Sequence, residues 1–245
     1  LKPSGRNASM YTTPRRCSIS GFTPSASRVT SNIIPGSTVS SCFGNTVREI
    51  RVAAGAYVPD RGTVDRAATF RMPNGVAVLG GYSGLTDDQN TRDPRANQTL
   101  LSGEIGLPFS VLDNAYHVVT VSGAGPQRIL DGFTIAAGRA NAISGDGGGG
   151  LKIVNGNPTI RNCTFTANYG KNGGAVNVSS AVSPNLVECT FVDNHAETSG
   201  GALFIAEMSG LRLDRCSILG NSAALYGGGL HNNGGIAELI STVLS

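Results

Sequence analysis

The chain has 245 residues, of which 34 are glycine and none is tryptophan, and only 14% are charged. Its net charge is +3, but after residue 48 thirteen basic residues stand against sixteen acidic ones, which gives little electrostatic support for nucleic-acid binding. A glycine-rich chain with 6% aromatic residues predicts an all-β protein with a narrow core rather than a helical one.

Residues 1–47 differ in composition from the rest of the chain. They are rich in Ser, Thr and Pro, contain no acidic residue and show no periodic apolar pattern. This predicts a poorly ordered lead-in, with the alternative that the stretch is non-native, for instance translated out of frame upstream of Thr46. Because the chain starts with Leu1 and stops at Ser245 inside a candidate strand, we expect it to be a piece of a longer protein.

From residue 48 onward, short apolar runs alternate with Gly, Pro, Asn and Asp. The runs are too short for helices, and several alternate apolar and polar side chains as half-buried strands do. In the first half of this region the candidate strands are Glu49–Val52, Ala68–Met72, Gly75–Leu79, Thr99–Leu101 and His117–Val121.

Three segments in the second half of the chain repeat one another. Cys163, Cys189 and Cys216 are spaced by 26 and 27 residues, and each has an apolar residue two positions later and an Asn five positions later. A fixed period of this size predicts a solenoid in which each short strand pairs with its equivalent in the next repeat, about 4.8 Å away. The predicted fold is all-β: a right-handed single-stranded parallel β-helix of pectate-lyase-like architecture over residues 48–245, truncated at its C-terminus, with roughly eight coils.

Overlaying the repeats assigns the inward positions to ladders that run along the solenoid. The inward ladders are Leu130, Ile160, Leu186, Leu213 and Leu239; then Phe133, Cys163, Cys189, Cys216 and Thr242; then Ile135, Phe165, Phe191, Ile218 and Leu244. A second face carries Leu151, Val176, Leu203 and Leu230, preceded in the repeats by the pairs Gly173–Gly174, Gly200–Gly201 and Gly227–Gly228. Glycine suits corners where the backbone needs a positive φ or approaches the next coil closely.

The cysteines, asparagines and histidines are interpreted as structural. Five cysteines cannot form a fully paired framework, and three side chains stacked in one ladder favour buried thiols over a disulfide. Asn168, Asn194 and Asn221 are predicted to form a ladder of amides that bond along the axis and to the turns. The histidines fall on different coils and are expected to be isolated surface or turn residues.

The repeat motifs resemble those of a bacterial family. Phe165-x-x-Asn168 and Phe191-x-x-Asn194, each followed by Gly-Gly-Ala and Val176 or Leu203, are similar to the FxxN and GGA[ILV] repeats of polymorphic outer membrane proteins and other bacterial right-handed β-helix surface proteins. Ile218-x-x-Asn221 is a degenerate third copy. The resemblance implies a secreted or cell-surface passenger without enzymatic activity that serves adhesion or display, with a cell-surface glycan or a protein as its partner.

A carbohydrate-active enzyme is the alternative, because pectin-degrading lyases and hydrolases share the predicted fold class. Glycoside hydrolysis needs clustered carboxylates, and His231 lacks the Gly-His-Gly setting of polygalacturonases. Asp131, Glu188 and Asp214 fall on one outward strip with Arg161 and Arg215, a mixed pattern that favours a solvated face. No catalytic residue, metal site, cofactor or membrane span is predicted, and the enzymatic alternative places its site in loops such as 80–117 or in missing coils.

Overall fold

The computed structural model describes residues 38–43, 46–60, 62–84, 91–141 and 147–245. These ranges contain twenty-five β-strands and no helix, so they include no helix long and apolar enough to cross a membrane. In chain order the strands are β1(Thr38–Phe43), β2(Thr46–Ala53), β3(Gly55–Tyr57), β4(Phe70–Arg71), β5(Ala77–Tyr82), β6(Thr99–Ser102), β7(Val119–Ser122), β8(Ile129–Asp131), β9(Thr134–Ala136), β10(Arg139–Ala140), β11(Leu151–Val154), β12(Thr159–Arg161), β13(Thr164–Thr166), β14(Tyr169–Asn172), β15(Val176–Ser179), β16(Asn185–Val187), β17(Thr190–Val192), β18(His195–Ser199), β19(Leu203–Ile205), β20(Gly210–Asp214), β21(Ser217–Leu219), β22(Ser222–Ala223), β23(Leu230–Asn232), β24(Ile236–Ile240) and β25(Val243–Leu244).

These strands stack into four sheets that run along one axis. Sheet A has the order β1-β2-β5-β8-β12-β16-β20-β24, sheet B β25-β21-β17-β13-β9-β6-β3, sheet C β23-β19-β15-β11-β7-β4 and sheet D β10-β14-β18-β22. Every pair of neighbouring strands in these sheets is parallel except β1 with β2. The predicted parallel β-helix is confirmed, as a solenoid of about 7 turns.

Each coil is numbered here by its strand in sheet A, so that coil 1 begins at β2, coil 2 at β5, coil 3 at β8 and coil 7 at β24. The coil number differs from the roughly eight expected because coil 2 is long. Val78 and Leu130 are neighbours in sheet A although 52 positions separate them in the chain. The additional residues form the two connections that flank β6.

At the N-terminal end, β1 lies inside the stretch predicted to be a lead-in, and β2 begins two residues before the expected boundary at Arg48. The antiparallel β1 covers the outer edge of β2, and so occupies backbone groups that an edge strand otherwise leaves unpaired. Residues 1–37 lie outside the described residues, and their order and origin stay a prediction.

The core consists of the inward ladders. Ile160 pairs with Leu130 on one side and Leu186 on the other, and Leu186 pairs with Leu213. In sheet B the ladder is Ile135, Phe165, Phe191, Ile218 and Leu244. The rings of Phe165 and Phe191 stack with centroids 5.0 Å apart and planes 11° apart, close to the spacing of adjacent strands.

The glycine pairs form the corner between sheets D and C. Gly173, Gly200 and Gly227 have φ values of 66°, 66° and 58°, which residues with a Cβ rarely adopt. A Cβ on Gly201 would lie 2.2 Å from the carbonyl oxygen of Gly228 and 2.3 Å from that of Ser222. The first glycine of each pair therefore supplies the turn, and the second allows the next coil to approach.

Candidate functional site

The outward strip of charged residues is tied together by Asp131. Its side chain is 2% exposed and pairs through Oδ1 with Arg92 at 2.7 Å and through Oδ2 with Arg161 at 2.8 Å, and Asn162 Nδ2 donates to Oδ1 at 3.0 Å. Burial alone would raise the pKa of Asp131, but the hydrogen bonds from Asn162, Arg92 and Arg161 outweigh it and hold that pKa below its ordinary value. The expectation of a solvated face was wrong for Asp131, because Arg92 from the coil 2 connection covers it.

A groove of about 830 Å³ lies beside this ion-pair network. One wall is the connection that carries Arg92 and Arg95, and the floor is the row of Thr134, Thr164 and Thr190 on neighbouring strands of sheet B. The connection reaches this position because coil 2 is long enough for Arg92 to contact Asp131 of coil 3.

Two acidic residues, Asp93 and Glu188, line the groove, and Glu188 lies at the corner between sheets A and B. Arg215 donates from Nε to Glu188 at 3.0 Å and from Nη1 to Asp214 at 2.9 Å, on the exposed surface. Arginine thus pairs with each carboxylate of the strip. Across the described ranges, no three His, Cys, Asp or Glu side chains come close enough to hold a metal ion.

In the asparagine ladder Asn168 and Asn194 are each 1% exposed and Asn221 is partly buried, and all three are hydrogen-bonded along the stack. Asn168 Nδ2 donates to Asn194 Oδ1 at 3.0 Å, and Asn194 Nδ2 donates to Asn221 Oδ1 at 2.9 Å. Each amide also donates to a carbonyl oxygen one coil earlier, such as that of Phe165 for Asn194, at 2.9 Å. The ladder is therefore part of the scaffold, since its polar atoms face neighbouring coils and not solvent.

The cysteine ladder is also internal. Cys163, Cys189 and Cys216 are free thiols and each is 1% exposed. Burial raises the pKa of Cys163 to about 12 and that of Cys189 well above its ordinary value. Each sulfur lies near a carbonyl oxygen one coil earlier, such as that of Leu130 at 3.8 Å from Cys163, so these residues pack as small apolar side chains.

A row of polar and ring-bearing side chains lies on the outer face of sheet D. This ring row consists of Arg139, Tyr169, His195 and Ser222, which occupy one ladder position on coils 3 to 6. The Arg139 guanidinium lies 4.3 Å from the centroid of the Tyr169 ring, and that ring stacks on His195 at 5.3 Å. His195 Nδ1 is 2.8 Å from Ser222 Oγ.

Tyr169 also forms a hydrogen bond with Glu197, which lies beside the ring row. The phenol donates to Glu197 Oε1 at 2.7 Å. Partial burial and this hydrogen bond raise the pKa of Tyr169 to about 12. The phenol is therefore a neutral hydrogen-bonding group at every physiological pH.

A second group of rings lies beyond the glycine corner on coils 5 and 6. This ring cluster consists of Phe204, His231 and Tyr226, with ring centroids 5.6 Å apart for both Phe204–His231 and Tyr226–His231. Phe204 and His231 pair across sheet C, and Tyr226 is 61% exposed. The ring cluster thus presents aromatic surface to solvent.

The histidines lie on different coils as expected, but the sequence interpretation missed both groups of rings, in which His195 and His231 each stack on an aromatic side chain. The signal was present in the repeat overlay. Tyr169, His195 and Ser222 each directly follow the asparagine of a repeat, and Phe204 and His231 each follow the apolar residue after a glycine pair. Outward positions vary in residue type between repeats, so their stacking emerges only when the coils are placed side by side.

Comparison with known proteins gives no relative from which the role of this site could be inferred. No family model matches this chain, and no curated protein or solved structure matches it.

Proposed function

We propose that this chain is a non-enzymatic β-helix passenger of a secreted or cell-surface protein, and that it serves adhesion or display by binding a glycan through the ring row and the ring cluster. The observation that carries the proposal is the stacking of rings on the outer faces of coils 4 to 6, where Tyr169 stacks on His195 and Phe204 on His231. The surface location is supported by the FxxN and GGA repeats.

The chemistry of the two ring groups suits a sugar. The exposed ring of Tyr226 offers apolar surface for the C–H face of a pyranose. Arg139 and His195 cover the two faces of the Tyr169 ring, so the ring row contributes ring edges, and Arg139, Glu197 and Ser222 supply the few placed polar groups that fix orientation. Neighbouring side chains in the row follow the coil spacing of about 4.8 Å, which is close to the length of one pyranose unit in a linear glycan. Because the strands hold the row rigidly, little side-chain entropy is lost on binding.

Glycan binding to the full chain tests the proposal, measured on a glycan array and then by calorimetry. Tyr169→Ala and Phe204→Ala are expected to weaken binding by about tenfold each, since the first removes the ring that holds Arg139 and His195 in the row and the second removes the ring on which His231 is stacked. Thr166→Ala is the matched control, because Thr166 faces outward on coil 4 but in sheet B. Glycan binding that is unchanged in both ring variants, or binding to a protein partner alone, would contradict the proposal.

The second candidate is a polysaccharide lyase or glycoside hydrolase that acts in the groove. The observation in its favour is the placement of Glu188 opposite Arg92 and Arg95 across the threonine row. Arginine can bind the carboxylates of a uronate, and a carboxylate can transfer a proton. The test is incubation of the chain with polygalacturonate, followed by measurement of unsaturated or reducing ends. Release of such ends by the unmodified chain, and its loss in Glu188→Gln, would support the enzyme over the passenger.

A further inference from the structure

We propose that the loop after β6 inserts an apolar tip, residues 107–112, into the surface of a zwitterionic lipid bilayer. The apolar tip shares no residue with the ring row, the ring cluster or the groove, and the proposal is independent of the function proposed above. Its basis is exposure: Leu107, Phe109, Val111 and Leu112 are 70%, 97%, 50% and 71% exposed. Large apolar side chains grouped on the surface mark a site of interaction with a protein or a membrane.

Hydrogen bonds within the loop hold these side chains on one protrusion. Leu107 N donates to Asp113 Oδ2 at 2.7 Å, and Ser110 N donates to Leu107 O at 3.1 Å, so the segment forms a closed turn. Behind it, Ala115 N donates to Gly103 O at 2.8 Å and closes the base of the loop. The apolar side chains therefore enter a partner together.

Backbone strain accompanies the exposure. Phe109 has a φ of 66° and Val64 a φ of 58°, in the left-handed region that bulky and β-branched residues rarely adopt. Val64 adjoins the loop, because a Cβ on Gly106 would lie 2.9 Å from Val64 Cγ1, and it is 46% exposed. Residues that are strained and yet gain little packing within the chain are typical of functional sites.

The chemistry of the apolar tip suits the boundary between water and lipid. Leu107 N and Ser110 N are hydrogen-bonded within the loop, and Pro108 has no N–H, so most backbone donors of this turn need no water. Unpaired backbone groups oppose entry into lipid. From Ile105 to Leu112 the sequence contains no charged residue, and the tip therefore leaves water without burying a charge.

The described charges around the apolar tip favour a zwitterionic surface over an anionic one. Asp65 follows the strained valine and Asp113 closes the turn, and both carboxylates repel anionic headgroups. Arg66 Nε donates to the backbone oxygen of Asn114 at 2.7 Å, and its guanidinium lies 4.2 Å from the centroid of the Tyr116 ring. Arg66 is thus held at the base of the loop, and burial of apolar area is left to drive binding.

Co-sedimentation of the full chain with phosphatidylcholine vesicles tests the contact. These vesicles carry no net charge, which avoids attraction of the five basic residues within 1–47. Weak, reversible binding at millimolar lipid is expected, because a few side chains bury only a small apolar area. Raising the salt concentration should leave this binding nearly unchanged.

Phe109→Gly separates binding from folding. The variant is expected to weaken vesicle binding by about tenfold or more, since it removes the largest apolar side chain of the apolar tip. Glycine adopts a φ of 66° without strain, so the Tm should not fall. Met208→Gly is the matched control, because Met208 is also exposed, at 83%, and has a φ of 58°, but lies between β19 and β20.

A tryptophan reporter locates the contact. The chain contains no tryptophan, so Phe109→Trp introduces a single indole at the apolar tip. Its emission is expected to shift to shorter wavelength when phosphatidylcholine vesicles are added, since the ring leaves water. Met208→Trp should show no such shift.

Four results would overturn the proposal. They are the absence of binding to phosphatidylcholine vesicles at millimolar lipid, binding that Phe109→Gly retains in full, an equal emission shift in the two tryptophan variants, and binding to anionic vesicles alone. The first result together with capture of a protein through Phe109 would assign the apolar tip to a protein partner instead.

Discussion

Asn194 satisfies five polar contacts in the coil stack with one side chain. Its amide donates to Phe165 O, Val192 O and Asn221 Oδ1, and its oxygen accepts from the backbone N and the Nδ2 of Asn168. Among side chains of this length, only the asparagine amide combines an NH2 group with two donors and a carbonyl oxygen that accepts. The repeat therefore keeps asparagine at this position for reasons of scaffold geometry.

Asn194→Ala is expected to destabilise the chain by about 2–4 kcal/mol, since it leaves the buried Asn168 donors unsatisfied at roughly 1–3 kcal/mol per group. Urea unfolding followed by circular dichroism measures the loss. Asn233→Ala, at an exposed position, is the control and should change stability by less than about 0.5 kcal/mol. A selective loss of ligand binding at unchanged stability would contradict the structural role.

Phe191→Asp is expected to unfold the middle coils. Phe191 is 0% exposed and stacks on Phe165, so the variant loses at least the roughly 3–5 kcal/mol of a buried phenylalanine and places a carboxylate where no partner exists. Val192→Asp, one position on and facing outward, should melt nearly as the unmodified chain does. Similar melting of both variants would contradict the strand register.

At the scale of elements, the two long connections of coil 2 add surface features to an otherwise regular solenoid. The connection after β5 brings Arg92 to the carboxylate of Asp131 and to the carbonyl oxygen of Gly80. It thereby forms one wall of the groove. The connection after β6 forms the loop from which Asn114 Nδ2 donates to Ala137 O of coil 3 at 2.8 Å. Both depend on side-chain contacts with coil 3.

The Asp131 network predicts a pH dependence of stability. Because the pKa of Asp131 is lowered in the folded chain, its contribution is present above the unfolded value of about 3.9 and is lost as the pH falls through the folded pKa. The Tm of the unmodified chain should therefore drop below about pH 4.

Asp131→Asn should lower the Tm at neutral pH, where it removes a paired buried charge and leaves Arg92 and Arg161 without a carboxylate. On acidification, the Tm of this variant should fall by less than the Tm of the unmodified chain. Asp193→Asn controls for the loss of a carboxylate at an exposed site. An identical acid-induced drop in the Asp131→Asn and unmodified chains would exclude Asp131 as the source.

At the scale of the whole molecule, each coil contacts its immediate neighbours, so stability accumulates coil by coil. The pairing Ile160 to Leu186 to Leu213 is the same from coil to coil, which makes the middle coils interchangeable. The core of the described residues runs along the solenoid axis, so the loss of one coil removes only that coil's part of it.

Deletion of residues 186–212 should therefore yield a folded chain with one coil fewer, because it places Leu213 directly on the ladder of Ile160. Circular dichroism should keep the β signature, with a cooperative melt at lower temperature. Deletion of 186–211 is the control: it places Arg212 at that inward position, and a one-residue slip turns every side chain of the strand to the other face. Equal behaviour of the two deletions would contradict the ladder.

The sequence by itself determined the repeat, and with it the fold class, because inward positions tolerate only apolar or amide side chains and so keep their type from coil to coil. The overlay that aligned Phe165, Phe191 and Ile218 has the same register as the strands. What only the tertiary structure decided are the features formed between outward side chains and long connections: the burial of Asp131 beneath Arg92, the stacking of Tyr169 on His195, and the hydrogen bond from Asn114 to Ala137 of the next coil. Solvent-facing residues are free to vary from one repeat to the next, and connections of irregular length do not repeat. Their contacts depend on distances in the folded chain, which the repeat pattern of the sequence does not contain.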